Sequence, residues 1–141
     1  MRQQAILIVD DDRSIRTLIR TLLLREEFVV DEAAGGIEAL QLIAGNQYDA
    51  VVLDLMLRDV SGADVIARMI ESAPRLAPVV IISAGSEAML DAVNSPVIRA
   101  KLRKPFDISD LVDAVHEALG NGSGSGARKN YPRKRVADAR R

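Results

Sequence analysis

Short apolar runs alternate along the chain with segments in which apolar residues recur at helical spacing. The clearest runs are 5–9 (AILIV), 50–53 (AVVL) and 79–82 (VVII), and β-branched residues are frequent in them. Runs of this kind are typical of strands covered on both faces, as in the centre of a parallel sheet. Two weaker runs, 28–30 and 97–102, predict two further strands.

The intervening segments carry the apolar stripes of amphipathic helices. The first stripe falls at i, i+3, i+4, i+7 and i+8, and comprises Ile15, Leu18, Ile19, Leu22 and Leu23. Shorter stripes predict three more helices, with Ile37, Leu40 and Ala44, then Val65, Ile66, Met69 and Ile70, and finally Ile108, Leu111, Val112, Val115 and Leu119. Residues 86–93 predict a short helix, and Asp107 is expected to cap the last one.

The order of these elements predicts the fold class. Strand and helix alternate five times, which favours an α/β protein with right-handed crossovers and a parallel sheet covered on both faces. We therefore predict a flavodoxin-like (βα)5 three-layer sandwich with a five-stranded sheet in the order 2-1-3-4-5. Ligands of such sheets bind beyond the carboxyl ends of the strands, here just after Val9, Leu53, Ile82 and Leu102.

Charge divides the chain into two parts. Residues 1–120 hold twelve basic and nineteen acidic residues, a net charge of −7, whereas 121–141 hold seven basic residues and one acid, a net charge of +6. The segment GNGSGSGA has the composition of a flexible linker, and the residues after it are too polar to build a core. We predict one domain over 1–120 and a flexible linker with a basic, disordered tail over 121–141.

Several classes of protein are excluded by what the chain lacks. It has no cysteine and a single histidine, His116, so a disulfide framework, a thiolate zinc site, a cysteine nucleophile and a multi-histidine metal site are ruled out. No signal peptide or run of membrane-spanning length is recognisable. We expect a cytoplasmic protein, and we interpret His116 as a surface side chain of the last helix.

Polar side chains of complementary chemistry follow the predicted strands. They are Asp10, Asp11, Asp12, Asp54, Ser83 and Lys104. One aspartate, Asp12, is enough to cap the first helix. The other carboxylates would repel each other without a cation, and all-oxygen ligation favours Mg²⁺ over zinc. A nearby lysine can neutralise a transferred phosphoryl group, so the pattern predicts phosphoryl chemistry.

Four segments in this order, LIVDDD, VVLDLMLRDVSG, VVIISA and KPF, resemble the receiver domain of bacterial response regulators, the CheY-like family. The resemblance covers residues 5–119. It implies that Asp54 is the phosphoacceptor. It also implies that Asp10 and Asp11 hold Mg²⁺ together with Asp54 and the main-chain carbonyl of Met56.

The same resemblance implies which groups meet the phosphoryl group. Ser83 would hydrogen-bond to it, Ala84 would keep its approach open, and Lys104 would pair with it. The Lys104–Pro105 peptide bond would be cis. The phosphoryl donor would be a histidine kinase or a histidine phosphotransfer protein, and the domain would not be a turnover enzyme.

Two positions depart from the family pattern. Leu57-Arg58 stands where Met-Pro is common. Without the proline, the sequence does not predict the conformation of the loop after Asp54. Lys101 stands three residues before Lys104, where the family usually has an aromatic residue that swings inward on activation. We therefore expect that the buried-aromatic switch is absent, which leaves the mode of output open.

Two functions remain open at this point. The first is a stand-alone receiver that signals through protein contacts, because 21 residues are too few for a DNA-binding output domain. The second is a module that binds an anionic partner, such as nucleic acid, a membrane surface or, by resemblance to arginine-rich receivers, cyclic di-GMP. Its candidate contacts are Arg99, Lys101, Arg103, Arg128, Lys129, Arg133, Lys134 and Arg135. The strand residues among them equally suit a solvated edge strand.

Overall fold

A computed structural model gives the structure of the protein and describes residues 3–73 and 75–121. The predicted linker and basic tail after 121 lie outside the described residues. The elements are β1 (Ala5–Val9), α1 (Arg13–Arg25), β2 (Val29–Ala33), α2 (Gly36–Gly45), β3 (Ala50–Asp54), α3 (Gly62–Ser72), β4 (Val79–Ser83), α4 (Glu87–Ala92), β5 (Ile98–Arg103) and α5 (Ile108–Ala118).

The five strands form one parallel sheet in the order β2-β1-β3-β4-β5, which confirms the predicted flavodoxin-like topology. Successive side chains of a strand point to opposite faces. Ile6 and Ile8 therefore pack with α1 and α5, whereas Leu7 and Val9 pack with α2 and α3. Both faces of the sheet are covered. No helix within the described residues is long and apolar enough to span a bilayer.

The edge strands β2 and β5 gave weak sequence signals because each has a neighbouring strand on one side only. All five residues of β3 and of β4 are buried, whereas only two residues of β2 and none of β5 are buried. The strand predicted at 28–30 in fact runs over Val29–Ala33, and the one predicted at 97–102 over Ile98–Arg103. Both boundaries were misplaced because polar residues such as Asp31 continue an edge strand.

The apolar stripe predicted for α2 was wrong at Ile37 and Ala44, whereas Leu40 packs against the core as predicted. Ile37 is 51% exposed, and the residues that face the core are instead Gly36, Ala39 and Ile43. A Cβ on Gly36 would lie 2.2 Å from Val60 Cγ2, so α2 approaches its neighbour through its smallest residue. Close approach by small residues is invisible to a count of large apolar side chains. Three other stripe residues also lie at the surface, namely Leu18, Ile70 and Ile108.

His116 is not the surface side chain predicted from the sequence. Only 16% of its side chain is exposed, and its Nε2 lies 2.8 Å from Glu26 Oε1. Its ring centroid lies 5.3 Å from that of Phe28. The histidine therefore joins α5 to the end of α1, a tertiary contact that the spacing of residues within α5 cannot reveal.

Candidate functional site

The carboxyl ends of the central strands meet at one edge of the sheet. In the register of the sheet Val9 pairs with Leu53, and Asp54 pairs with Ile82. The backbone N–H of Lys104 donates to the carbonyl of Ser83 at 2.8 Å. The residues that follow the strands are thus brought together, as the fold predicted.

Three carboxylates form the centre of this edge. Asp10 is fully buried, Asp54 is 3% exposed, and Asp11 is half-buried. One oxygen of each lies within 4.8 Å of the others. Lys104 Nζ lies 2.8 Å from Asp10 Oδ2 and 3.1 Å from Asp54 Oδ2. Three carboxylates against one ammonium leave an excess of negative charge, and a donor set made only of oxygen suits Mg²⁺.

Burial and ion pairing shift the pKa values of Asp54 and Lys104. Burial raises the pKa of Asp54 above its usual range, and the charge of Asp10 raises it further. The N–H of Met56, which donates to Asp54 Oδ1 at 3.0 Å, and the Lys104 ammonium oppose that rise. Burial alone would lower the pKa of Lys104, but the hydrogen bonds to Asp10 and Asp54 outweigh it and the pKa is raised. Lys104 therefore stays charged.

The three consecutive aspartates divide their tasks. The Asp12 side chain accepts from the N–H groups of Ser14 and Ile15, at 2.8 and 3.3 Å, and caps α1 as predicted. Asp10 Oδ1 accepts from the Asp12 N–H at 2.8 Å. Its other carboxylate oxygen faces Lys104. Because one residue caps the helix, Asp10 and Asp11 remain oriented toward Asp54.

The loop after Asp54 lies directly on the end of β3. A Cβ on Gly62 would lie 2.6 Å from the Asp54 carbonyl oxygen and 2.7 Å from Leu55 Cα. The Gly62 N–H donates to the Leu55 carbonyl at 2.9 Å. Only glycine allows this approach without moving the backbone. Met56 itself is 48% exposed, and its carbonyl stays a predicted ligand.

Two residues of this loop were not assigned any role by the sequence. Asp59 accepts hydrogen bonds from the N–H groups of Gly36 and Ile37, at 2.9 and 3.0 Å, and so caps α2 from outside. These bonds lower the pKa of Asp59 to about 2. The Arg58 N–H donates to Asp11 Oδ2 at 3.1 Å, and the exposed Arg58 guanidinium lies 3.6 Å from the same oxygen. A signal existed for Asp59, since the cap of α2, Gly35, has no side chain.

The end of β4 supplies the predicted hydroxyl. Ser83 is fully buried, and its Oγ accepts from the Gly85 N–H at 3.0 Å. Ala84 is exposed, and its small side chain adds no bulk beside the Ser83 hydroxyl. A Cβ on Gly85 would lie 2.4 Å from Met89 Sδ, so this loop packs closely on α4. The Lys104–Pro105 peptide bond is cis.

The basic residues of β5 do not gather into an open cationic face. Arg99 is exposed, and Lys101 is half-buried with its Nζ donating to the Leu90 carbonyl of α4 at 2.7 Å. Arg103 lines a groove beside several acidic residues. The predicted contacts Arg128, Lys129, Arg133, Lys134 and Arg135 lie outside the described residues.

Over residues 6–116 the chain matches the family described as response regulator receiver domain. The chain belongs to the response-regulator receiver family. It is 29% identical to sporulation initiation phosphotransferase F of Bacillus subtilis, over 84% of this chain and 96% of that protein. It is 38% identical to response regulator MprA of Mycobacterium sp. (strain KMS) over 81% of its own length, and spans 50% of that relative.

Solved structures of receivers have the same fold. Response regulator TrrA of Thermotoga maritima, in complex with Mg²⁺-BeF, superposes with a TM-score of 0.74 and 29% identity, over 83% of this chain and 100% of that one. A CheY-like receiver of Methanospirillum hungatei JF-1 superposes with a TM-score of 0.78 at 23% identity, over 85% and 96%, which shows the fold alone. None of these similarities supports the anion-binding alternative.

Proposed function

We propose that this receiver is a phosphorylatable signalling domain that accepts a phosphoryl group on Asp54 from the phosphohistidine of a histidine kinase or a histidine phosphotransfer protein. The observation that carries the proposal is the contact of Lys104 Nζ with both Asp10 and Asp54, beside the half-buried Asp11. Mg²⁺ would be held by the three carboxylates and the Met56 carbonyl. When bound, it would supply charge neutralisation for the phosphoryl oxygens.

The residues of the chain suit an aspartyl nucleophile. An ionised Asp54 oxygen attacks phosphorus while the bond from phosphorus to the donor imidazole nitrogen breaks, which yields an acyl phosphate and a free histidine. Burial raises the pKa of Asp54 and disfavours the reactive carboxylate, but Lys104 and the Met56 N–H stabilise it. Phosphoryl transfer depends mainly on such positioning and electrostatic stabilisation.

After transfer, Lys104 would pair with the new phosphoryl oxygens, and the Ser83 hydroxyl would donate to one of them. Ser83 already accepts from the Gly85 N–H, and Gly85 packs against Met89 of α4. A change at Ser83 would therefore reach α4 through this loop. Since no aromatic residue stands at position 101, we propose that α4 and its Lys101 contact carry the output to a partner protein.

The direct test is phosphorylation by acetyl phosphate with Mg²⁺, detected by intact-mass measurement. The parent chain should gain one phosphoryl group, and Asp54→Asn should gain none. Asp64→Asn on α3 is the matched control and should behave as the parent. A phosphoryl group that persists in Asp54→Asn would refute the assignment.

The domain would accept and release a phosphoryl group without turning over a separate substrate. A cytoplasmic location stays a prediction from the sequence.

A further inference from the structure

A groove runs along the free edge of the sheet, between α4, β5 and α5. Within the described residues β5 pairs only with β4, so its outer edge opens into the groove. The cavity measures about 550 Å³. Six acidic residues line it, namely Glu87, Asp91, Asp107, Asp110, Asp113 and Glu117. We call it the acidic groove.

Two basic residues also line the acidic groove, too few to balance its six carboxylates. Lys101 donates to the Leu90 carbonyl. Arg103 has a buried Nε that finds no hydrogen-bond partner among the described residues. Against six carboxylates, these two cations leave the lining with a net charge of −4. The exposed Asp91 and Glu117, on opposite walls, form no ion pair within the described part of the chain.

The chain itself supplies a segment of opposite charge. Residues 128–141 hold seven basic residues and one acid, Asp138, and they follow α5 after a short Gly/Ser-rich stretch. An extended chain advances roughly 3.3 Å per residue, so the eight residue steps from Asn121 to Lys129 can span up to about 26 Å. From Glu117 back to Asp110 the helix axis advances only about 10 Å. The linker is therefore long enough for the basic segment to reach the groove.

We propose that the basic segment 128–141 docks into the acidic groove of its own domain. Attachment by a short linker gives the segment a millimolar effective concentration, so several weak ion pairs suffice. The inference goes beyond the proposed function and does not depend on phosphorylation. Its consequence is that any partner of the α4–β5–α5 surface must displace the segment first.

The charge of the groove decides between this occupant and the anionic ligands considered from the sequence. Nucleic acid or a nucleotide would meet a lining of net negative charge and would be repelled. A basic peptide meets complementary charge along its whole length. The closest source of such a peptide is the segment joined to α5.

The absence of native cysteine allows a direct test in the full chain. A nitroxide spin label on Ala137→Cys broadens the nuclear magnetic resonance signals of nearby backbone amides. Docking predicts the strongest loss of signal at amides of Leu90, Lys101 and Asp113, and none at Asp31 on the opposite edge strand. High salt should restore the signals, because the ion pairs are exposed to solvent.

A matched pair of variants separates specific docking from general attraction to an acidic domain. Asp91→Asn/Glu117→Gln, combined with the label, should lower the ratio of docked to undocked segment about fivefold. Asp64→Asn/Glu71→Gln on α3 removes the same charge elsewhere and should leave the ratio unchanged. The proposal fails if the broadening is weak and uniform, or if both double variants lower it equally. It also fails if the broadening grows with protein concentration, because the segment would then bind to a second copy of the chain.

Discussion

The central strands and the β5 edge of the molecule differ in how closely they follow the receiver pattern. At the centre, Asp10 and Asp54 are buried and each contacts Lys104 within 3.1 Å. At the edge, Lys101 replaces the usual aromatic residue, and acidic residues line an open groove. The centre thus keeps the groups that phosphoryl transfer requires, whereas the edge keeps the fold but presents different chemistry. The comparison indicates that the residues that receive the phosphoryl group and the residues that contact a partner can vary independently within one sheet.

The largest expected effect is at the centre, from Lys104→Ala. Without the ammonium, Asp10 and Asp54 face each other in a buried site, and removing one partner of a buried ion pair costs about 3 kcal/mol. The free energy of unfolding, measured by urea denaturation without Mg²⁺, should fall by that amount. Mg²⁺ should restore more stability in this variant than in the parent. Equal responses to Mg²⁺ would show that the carboxylates do not form one site.

Gly62→Ala tests whether the centre is as closely packed as the structure indicates. The new Cβ would lie 2.6 Å from the Asp54 carbonyl, and overpacking of this kind costs about 2 kcal/mol. We also expect slower phosphorylation, since the end of β3 must shift. The control is Gly45→Ala, where no atom lies within 4 Å and helix propensity should stabilise the fold by roughly 0.5 kcal/mol. Similar losses in both variants would contradict the close approach.

Asp59→Ala sharpens the comparison at the loop that joins the centre to α2. Hydrogen bonds from Ile37, Gly36 and Val60 lower the pKa of Asp59 to about 2. A depressed carboxyl pKa means that the stabilisation is complete above the unfolded value near pH 4 and is lost as the pH falls through about 2. Because Asp59 is exposed, we expect a loss of only about 1 kcal/mol at neutral pH. In urea titrations between pH 7 and acidic pH, the difference in free energy of unfolding between the parent and Asp59→Ala should shrink as the pH falls.

The smallest effect is expected at the edge, from Lys101→Met. The variant keeps the length of the side chain but loses the 2.7 Å hydrogen bond to the Leu90 carbonyl, which also accepts from the Val93 N–H. We expect about 0.5 kcal/mol of lost stability and faster hydrogen exchange in α4. Phosphorylation by acetyl phosphate should not change. A marked change in the rate of phosphorylation would show that the β5 edge and the central site are not independent.

Sequence reasoning reached the fold because the buried strands had unmistakable patterns. Runs such as 50–53 are apolar throughout because both faces of β3 are covered. It also located the polar residues of the site, because parallel strands end at one edge and a residue after a strand must lie there. It failed for His116 and for the buried face of α2, since both depend on what another helix brings to the contact.

By itself, the amino-acid sequence determined the alternation of strands and helices, the order of the sheet and which residues follow the strands. The alternation follows from local periodicity, and the order of the sheet from right-handed crossovers in a five-stranded flavodoxin-like fold. Only the tertiary structure decided that Lys104 bridges Asp10 and Asp54, and that Asp59 caps α2. It alone decided that Lys101 holds α4 and that acidic residues of two helices line one groove. Each of these contacts joins residues far apart in the chain, so their distances exist only once the sheet has formed.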